Sequence, residues 1–215
     1  MQHVARSPAR PWFARPIELL GPYQPSLLQT LAPSLPLLGK LLISLAFVGL
    51  LTGSSRAYFF LPDNPVPITL QTGAVLLTGG ILGFRWGLFS LLLWYFIGMA
   101  GAPVFAKGAN GWAFLSGGAT AGYIIGFIGA SAIVGFLSQH GWIKSKGLWA
   151  MMLGNIVIYI PGLIWLGIFA NIEPFRKVFT YGLYPFIAGD LVKLMAASLI
   201  ASGLWAIVDR REQAR

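Results

Sequence analysis

The amino-acid sequence predicts an all-α membrane protein with six transmembrane helices and with both termini in the cytoplasm. The first observation behind this prediction is composition, since the 215 residues are 56% hydrophobic and only 10% charged. Soluble domains carry about 25% charged residues. The second observation is a series of six apolar segments, and the third is the distribution of lysine and arginine between the loops that join them. The character of the chain does not change along these segments, so we expect one membrane domain.

The apolar segments have the lengths expected of membrane-spanning helices, for which about 20 residues are typical. In chain order they are Leu35–Ser55, Ile68–Gly83, Trp86–Ala102, Trp112–Leu137, Gly147–Ala170 and Leu183–Val208. The second and third segments are short and only Phe84 and Arg85 separate them. The sequence leaves two possibilities for this pair, a tight helical hairpin or one re-entrant or tilted unit. Residues 1–33 contain no apolar core of a signal peptide, and we expect a cytoplasmic N-terminal extension there.

The basic residues support this topology. With the N-terminus inside, ten of them fall in the cytoplasm and four outside, and cytoplasmic loops are expected to carry the excess. The cytoplasmic residues are Arg6, Arg10, Arg15, Lys40, Arg85, Lys144, Lys146, Arg210, Arg211 and Arg215, and the external ones are Arg56, Lys107, Arg176 and Lys177. This topology accounts for the net charge of +9 without a nucleic-acid partner. The remaining lysine, Lys193, lies in the membrane.

Asp190 and Lys193 are two charged residues inside the last apolar segment. A charge at the centre of a membrane helix costs roughly 3 kcal/mol on insertion scales. Because they are three positions apart, they share one helical face and meet each other, a partner helix or a polar ligand. Asp190 is expected about 8 Å below the outer end of its helix, near the external loops. We therefore predict a ligand pocket that opens outward, with a self-neutralising structural pair as the alternative.

Further polar and aromatic residues are candidates for the same pocket. A mostly apolar cavity with a few placed polar groups is typical of small-molecule sites, and this one suits a ligand with an amide-like or urea-like head. The candidates are Thr69, Gln71, Phe105, Asn110, Trp112, Tyr123, Asn155 and Tyr159. Six of them have a structural alternative. Gln71 and Asn110 are suited to hydrogen bonds at helix ends, Asn155 and Tyr159 to bridges between helices, and Phe105 and Trp112 to anchoring at the interface.

Catalytic and metal chemistry find little support. The chain has no cysteine, and His3 and His140 lie outside the predicted spans, so we predict no metal site. There is no H-E-x-x-H motif and no G-x-x-x-x-G-K-[ST] phosphate loop. We therefore expect neither an enzyme nor a chain that binds ATP itself. An intramembrane enzyme that uses the Asp–Lys pair is the alternative from a different class, and a purely structural membrane protein is a further one.

Four motifs carry a family resemblance. They are PVPITLQT (65–72), GAPVFAKG (101–108), GATAGYIIGF (118–127) and AGDLVK (188–193). In this order they resemble the motifs of the BioY family, the biotin-specific substrate-binding subunits, or S components, of energy-coupling-factor (ECF) transporters. The resemblance covers roughly residues 40–208. The family commonly has Pro-Thr-Gly-Gly-Tyr where this chain has Ala119-Thr120-Ala121-Gly122-Tyr123, a difference that affects the fine shape of the pocket.

The resemblance implies a function and partners. Residues 34–215 would form the six-helix substrate-binding domain in the plasma membrane, with biotin held under the loop between helices one and two by Asp190 and Lys193. The subunit would take up biotin with high affinity and without a cofactor, since ATP would be bound only by two ATPase partners. A transmembrane coupling subunit would dock on small residues of the first helix, namely Ala46, Gly49 and Gly53, for which packing inside the bundle is the alternative. For the biotin carboxylate, Lys107 is a candidate. An S component for another small vitamin is the nearest alternative function.

Overall fold

The computed structural model describes residues 20–168 and 175–214, and these form a bundle of helices. The predicted basic residues Arg6, Arg10, Arg15 and Arg215 lie outside the described residues. Five of the described helices, those that begin at Leu37, Gln71, Ala121, Trp142 and Ile187, are long and apolar enough to cross a membrane. The helices are α1 Leu27–Leu31, α2 Leu37–Arg56, α3 Gln71–Met99, α4 Gly111–Gly117, α5 Ala121–Ser138, α6 Trp142–Ile168, α7 Phe175–Gly182 and α8 Ile187–Gln213.

Helix α3 folds back on itself at Gly83. Its backbone there has φ 76° and ψ −176°, a conformation that only glycine adopts without strain. A Cβ atom built on Gly87 would lie 3.1 Å from the Cα atom of Gly79, whereas eight residues of a straight helix span about 12 Å. Residues 71–82 and 84–99 therefore lie side by side. The reversal falls at the junction of the second and third predicted segments, and its geometry is that of a helical hairpin.

The fourth predicted segment, Trp112–Leu137, is divided in the structure. Helix α4 ends at Gly117, and Gly118 is extended, with φ −74° and ψ 141°. The indole nitrogen Nε1 of Trp165 donates a hydrogen bond to the Gly118 carbonyl at 3.0 Å, which holds this non-helical link against α6. The prediction of one continuous helix is wrong here because two consecutive glycines have low helix propensity.

Helix α2 packs on one side only. Its buried residues are Ser44, Val48, Leu51 and Ser55, while a row of leucines on the opposite side is exposed. Ala46, Gly49 and Gly53 are exposed as well. A Cβ atom at Gly49 or Gly53 would meet nothing within 4 Å, so in the part of the chain that the structure describes these glycines do not mediate packing inside the bundle.

Two connecting loops meet where α2 ends, and we call this the loop end of the bundle. The first contains a short antiparallel ribbon of β1 Tyr58–Phe59 and β2 Ile68–Thr69. The second contains a 3₁₀ turn, Ala106–Gly108. The Ser55 hydroxyl donates to the Val104 carbonyl at 3.0 Å, and the Arg56 guanidinium donates to the carbonyl of Pro103. These bonds fix the second loop to α2.

The opposite end, where Gly83 lies, is closed by residues 20–31. Helix α1 has a capping box, in which Ser26 and Gln29 exchange hydrogen bonds, and Leu27 is buried. The side chain of Gln139 accepts from the Phe84 N–H at 3.0 Å and donates to the Tyr23 hydroxyl at 2.7 Å. The stretch that the sequence assigns to a separate extension thus contributes its last third to the bundle.

Candidate ligand-binding site

A cavity lies at the loop end between the hairpin, α5, α6 and α8. It offers about 50 Å³ of space for the centre of a water-sized sphere. Both loops contribute to it, and most of its walls are apolar. The lining residues are Val66, Pro67, Thr69, Gln71, Thr72, Phe105, Ala106, Phe114, Thr120, Tyr123, Ile124, Phe127, Ile158, Tyr159, Phe186, Asp190 and Lys193.

A charged cluster forms one wall of the cavity. The Lys193 ammonium lies 2.8 Å from Asp190 Oδ1, and the Tyr159 hydroxyl of α6 donates to Asp190 Oδ2 at 2.7 Å. Asp190 is only 3% exposed and stands in the first turn of α8, where the helix dipole stabilises a carboxylate. Asp190 therefore meets its own helical neighbour, a partner helix and the cavity. A carboxylate offers about four acceptor positions, so it keeps capacity for N–H donors of a ligand.

Gln71 places a free amide donor at the cavity. It is 5% exposed, and its Nε2 has no hydrogen-bond partner among the described residues. The expected helix-end bond comes instead from Thr69, whose hydroxyl accepts from the Gln71 N–H at 3.2 Å. An unsatisfied buried donor costs roughly 1–3 kcal/mol. The Gln71 amide is thus a group to which a ligand acceptor would be attracted.

Aromatic side chains form the apolar part of the site. Phe105 is 1% exposed; its ring stacks on Phe114 at a centroid distance of 5.5 Å and meets Trp94 edge-on at 4.9 Å. Tyr123 and Tyr159 form another edge-on pair, at 6.1 Å. The Tyr123 hydroxyl is already used, since it donates to the Gly182 carbonyl at 2.8 Å. Tyr123 therefore offers a ligand its ring.

Three of the predicted site residues do not line this cavity. Asn110 is exposed and donates to the Gly108 carbonyl at 3.2 Å. Trp112 lies on the short helix α4, because the predicted segment Trp112–Leu137 is divided at Gly118. Its side chain is 66% exposed. Asn155 lies one turn deeper on α6 than Tyr159, and its Oδ1 is buried without a partner in the described residues. The remaining predicted residues, from Thr69 to Lys193, come together at the cavity.

The sequence reading missed most of the apolar lining. Phe127 lies one turn after Tyr123, and Ile124 lies three positions before Phe127, so helical periodicity around Tyr123 would have found both. Val66, Pro67, Phe114 and Ile158 carry no comparable signal, because apolar residues do not stand out in an apolar sequence.

A second cavity, of about 190 Å³, adjoins the first. The two share Pro67, Ala106, Phe114 and Thr120. Lys107 lines the second cavity, and its ammonium lies 4.1 Å from the centroid of the Phe60 ring. Lys107, the residue predicted to bind the biotin carboxylate, therefore lies in the cavity next to the one that contains Asp190. Across residues 20–168 and 175–214, no group of three or more acidic or histidine side chains could hold a metal ion.

Membrane-length helices around a largely apolar cavity, with one buried charged cluster, define a multi-pass membrane protein with a site for a small molecule. Comparison with known proteins identifies the group. The chain belongs to the BioY family, whose model matches residues 28–210.

Curated relatives support the assignment. The chain is 40% identical over 141 residues to the probable biotin transporter BioY of Pyrococcus horikoshii, which covers 66% of this chain and 82% of that protein. It is 34% identical over 149 residues to the biotin transporter BioY of Thermotoga maritima, with 67% and 84% covered. Among solved structures, the S component for biotin from an ECF-type ABC transporter superposes with a TM-score of 0.71 at 27% identity, covering 79% of this chain and 92% of that chain.

Proposed function

We propose that this chain binds biotin in the cavity at the loop end and serves as the substrate-specific membrane subunit of an ECF-type transporter. One observation carries the proposal: a buried carboxylate with spare acceptor capacity faces an aromatic cavity that also contains the free Gln71 amide. The biotin-transporter relatives and the structural similarity to a biotin S component support biotin as the ligand.

The chemistry of biotin matches these groups. Its ureido head has two N–H donors, which Asp190 would accept, and a carbonyl, which Gln71 and Lys193 would bind as donors. The sulfur-containing ring of biotin and its valeryl side chain would lie against Phe105 and Phe186. The valeryl side chain would extend through the second cavity toward Lys107, whose ammonium would attract the biotin carboxylate there.

We also propose a six-span topology with cytoplasmic termini in the plasma membrane. The hairpin halves 71–82 and 84–99 are about 18 and 24 Å long at 1.5 Å per residue, short of the roughly 30 Å hydrocarbon core. The Gly83 turn would therefore lie below the membrane surface, where free backbone groups are costly. The bond from Phe84 N–H to Gln139 and the cover of residues 20–31 make that placement acceptable.

Transport would require partners. The sequence has no phosphate-loop motif, so energy would come from two ATPase subunits through a transmembrane coupling subunit. The exposed small residues Ala46, Gly49 and Gly53 of α2 offer a flat face for that coupling subunit. Neither docking nor uptake requires this chain to carry out a chemical reaction.

Binding of labelled biotin to the purified chain in detergent tests the proposal. Asp190→Asn and Lys193→Ala should each lower affinity at least tenfold, while excess thiamine should not compete. The exposed pair Lys144–Asp209, at 2.6 Å, provides matched controls, and Asp209→Asn and Lys144→Ala should bind as the parent does. A folded parent chain that binds no biotin would overturn the proposal. Competition by thiamine would instead indicate a subunit for another vitamin.

A further inference from the structure

A stretch of the first loop, residues 60–67, forms a roof over the cavity, and we call it the roof loop. Val66 and Pro67 line the cavity from this side, and Val66 is 4% exposed. The loop is held at its base by the β1–β2 ribbon, in which Tyr58 pairs with Thr69 and Phe59 with Ile68. The tip beyond the ribbon needs a separate attachment.

Asn64 supplies that attachment. Although it is a polar residue at the tip of a loop, it is only 7% exposed. Its Oδ1 accepts from the Val66 N–H at 2.9 Å, which fixes the turn that directs Val66 to the cavity. Its Nδ2 donates to the Tyr181 carbonyl at the end of α7, at 3.1 Å. Within residues 20–168 and 175–214, we find no second hydrogen bond from the roof loop to another element.

The acceptor, the Tyr181 carbonyl, lies at the C-terminal end of α7. The last carbonyls of a helix have no partner within the helix, and α7 ends at Gly182. Two adjacent carbonyls of this end take side-chain donors: Tyr181 accepts from Asn64, and Gly182 accepts from Tyr123. Tyr123 stands on α5 and lines the cavity. The end of α7 therefore joins the roof loop to a wall of the site.

We propose that the Asn64–Tyr181 hydrogen bond is a latch that keeps the roof loop closed and sets the rates at which the ligand enters and leaves. Under the roof loop, the centres of water-sized spheres have only about 50 Å³ of space, so a bicyclic ligand needs the loop to move before it can enter. That movement must break the latch and expose Val66. The ligand named here rests on the proposed function, whereas the latch rests on the contacts of Asn64.

Binding kinetics test the latch with Asn64→Ser. A serine hydroxyl still accepts from the Val66 N–H in an equivalent turn, but it is too short to reach Tyr181. We propose that the latch also holds the loop over a bound ligand, so its loss should raise both the association and the dissociation rate constants of biotin about fivefold, with little change in Kd. Asp63→Asn, an exposed neighbour, should leave both rates unchanged. Unchanged rates in Asn64→Ser, or a weaker Kd with an unchanged association rate, would overturn the latch.

A second measurement does not require biotin. The chain has no cysteine, so spin labels can be attached at Leu61→Cys on the roof loop and Tyr184→Cys beyond α7, both exposed side chains. Their distance distribution in lipid nanodiscs should gain a longer component when Asn64→Ser or Asn64→Asp is added. An unchanged distribution in both variants would refute the latch. If the parent fails to bind biotin but the longer component appears, the proposed ligand is wrong and the latch stands.

Discussion

Removing one member of the Asp190–Lys193 pair should cost much more stability than removing both. The N–O distance is 2.8 Å, which at an effective dielectric constant of 20 corresponds to about 6 kcal/mol of attraction. Most of this attraction is offset by taking two ions out of water. A single charge left behind loses the attraction and keeps the penalty, at about 3–5 kcal/mol. The Lys193 side chain is 12% exposed, so we expect about 3 kcal/mol for Asp190→Asn.

A double-mutant cycle measures this coupling. Lys193→Met keeps the length of the side chain and removes its charge, and unfolding is followed in detergent mixtures. Asp190→Asn combined with Lys193→Met should unfold within about 1 kcal/mol of the parent, since a neutral replacement of a buried pair is often tolerated. The same cycle on Lys144 and Asp209, whose side chains are 33% and 40% exposed, should give a coupling below about 1 kcal/mol.

The cycle also separates stability from binding. We expect the double variant to be stable and yet to bind no biotin, because it lacks the carboxylate that we propose as the acceptor of the ureido N–H groups. If the two single effects simply add, the pair is not coupled and the electrostatic reasoning is wrong. If the stable double variant keeps the affinity of the parent, the charged cluster is not part of the binding site.

Two further substitutions test the packing. A Cβ atom at Gly98 would overlap the Phe105 ring, so Gly98→Ala should push this ring into the cavity, weaken biotin binding at least tenfold and cost about 1–3 kcal/mol of stability. Gly53→Ala, with open space around it, should change neither the binding nor the stability. Equal biotin binding by both variants would contradict the assignment of Phe105 to the binding site. Gln139→Ala should leave the Phe84 N–H without its partner and cost about 1–3 kcal/mol in thermal unfolding, while the distant cavity keeps its biotin affinity. A loss of affinity equal to that of Gly98→Ala would show that the two ends are not independent.

Sequence reasoning succeeded where one residue type has few physical options. A charged pair in an apolar segment must be neutralised, and Asp190 and Lys193 indeed meet at 2.8 Å. The first of the two short apolar segments ends at Gly83, and the chain reverses there. The first predicted segment differs from α2 by no more than two residues at either end, because a Pro-containing stretch precedes it and a Pro-rich loop follows it.

The contacts that sequence reasoning missed depend on long-range geometry. Asn64 and Tyr181 are 117 positions apart, and nothing local indicates that a loop asparagine will be buried. Residues 20–31 resemble an exposed tail in composition, yet they are ordered by Gln139, more than a hundred positions later. Trp112 seemed to belong to a membrane helix because hydropathy alone does not register the break at Gly118.

Small residues determine where the cavity forms. Between the hairpin and α5, close backbone approach occurs toward the Gly83 end, where a Cβ atom on Gly135 would lie 2.6 Å from the Gly83 carbonyl carbon. Toward the loop end, the same two elements present the larger side chains Gln71 and Tyr123, which line the cavity. Helix α5 remains close to α6 there, since a Cβ atom on Gly126 would lie 2.6 Å from the Ile158 carbonyl oxygen. The cavity is therefore confined to one side of α5 and one end of the bundle, the end that the roof loop covers, and the proposed ligand would have to pass that loop.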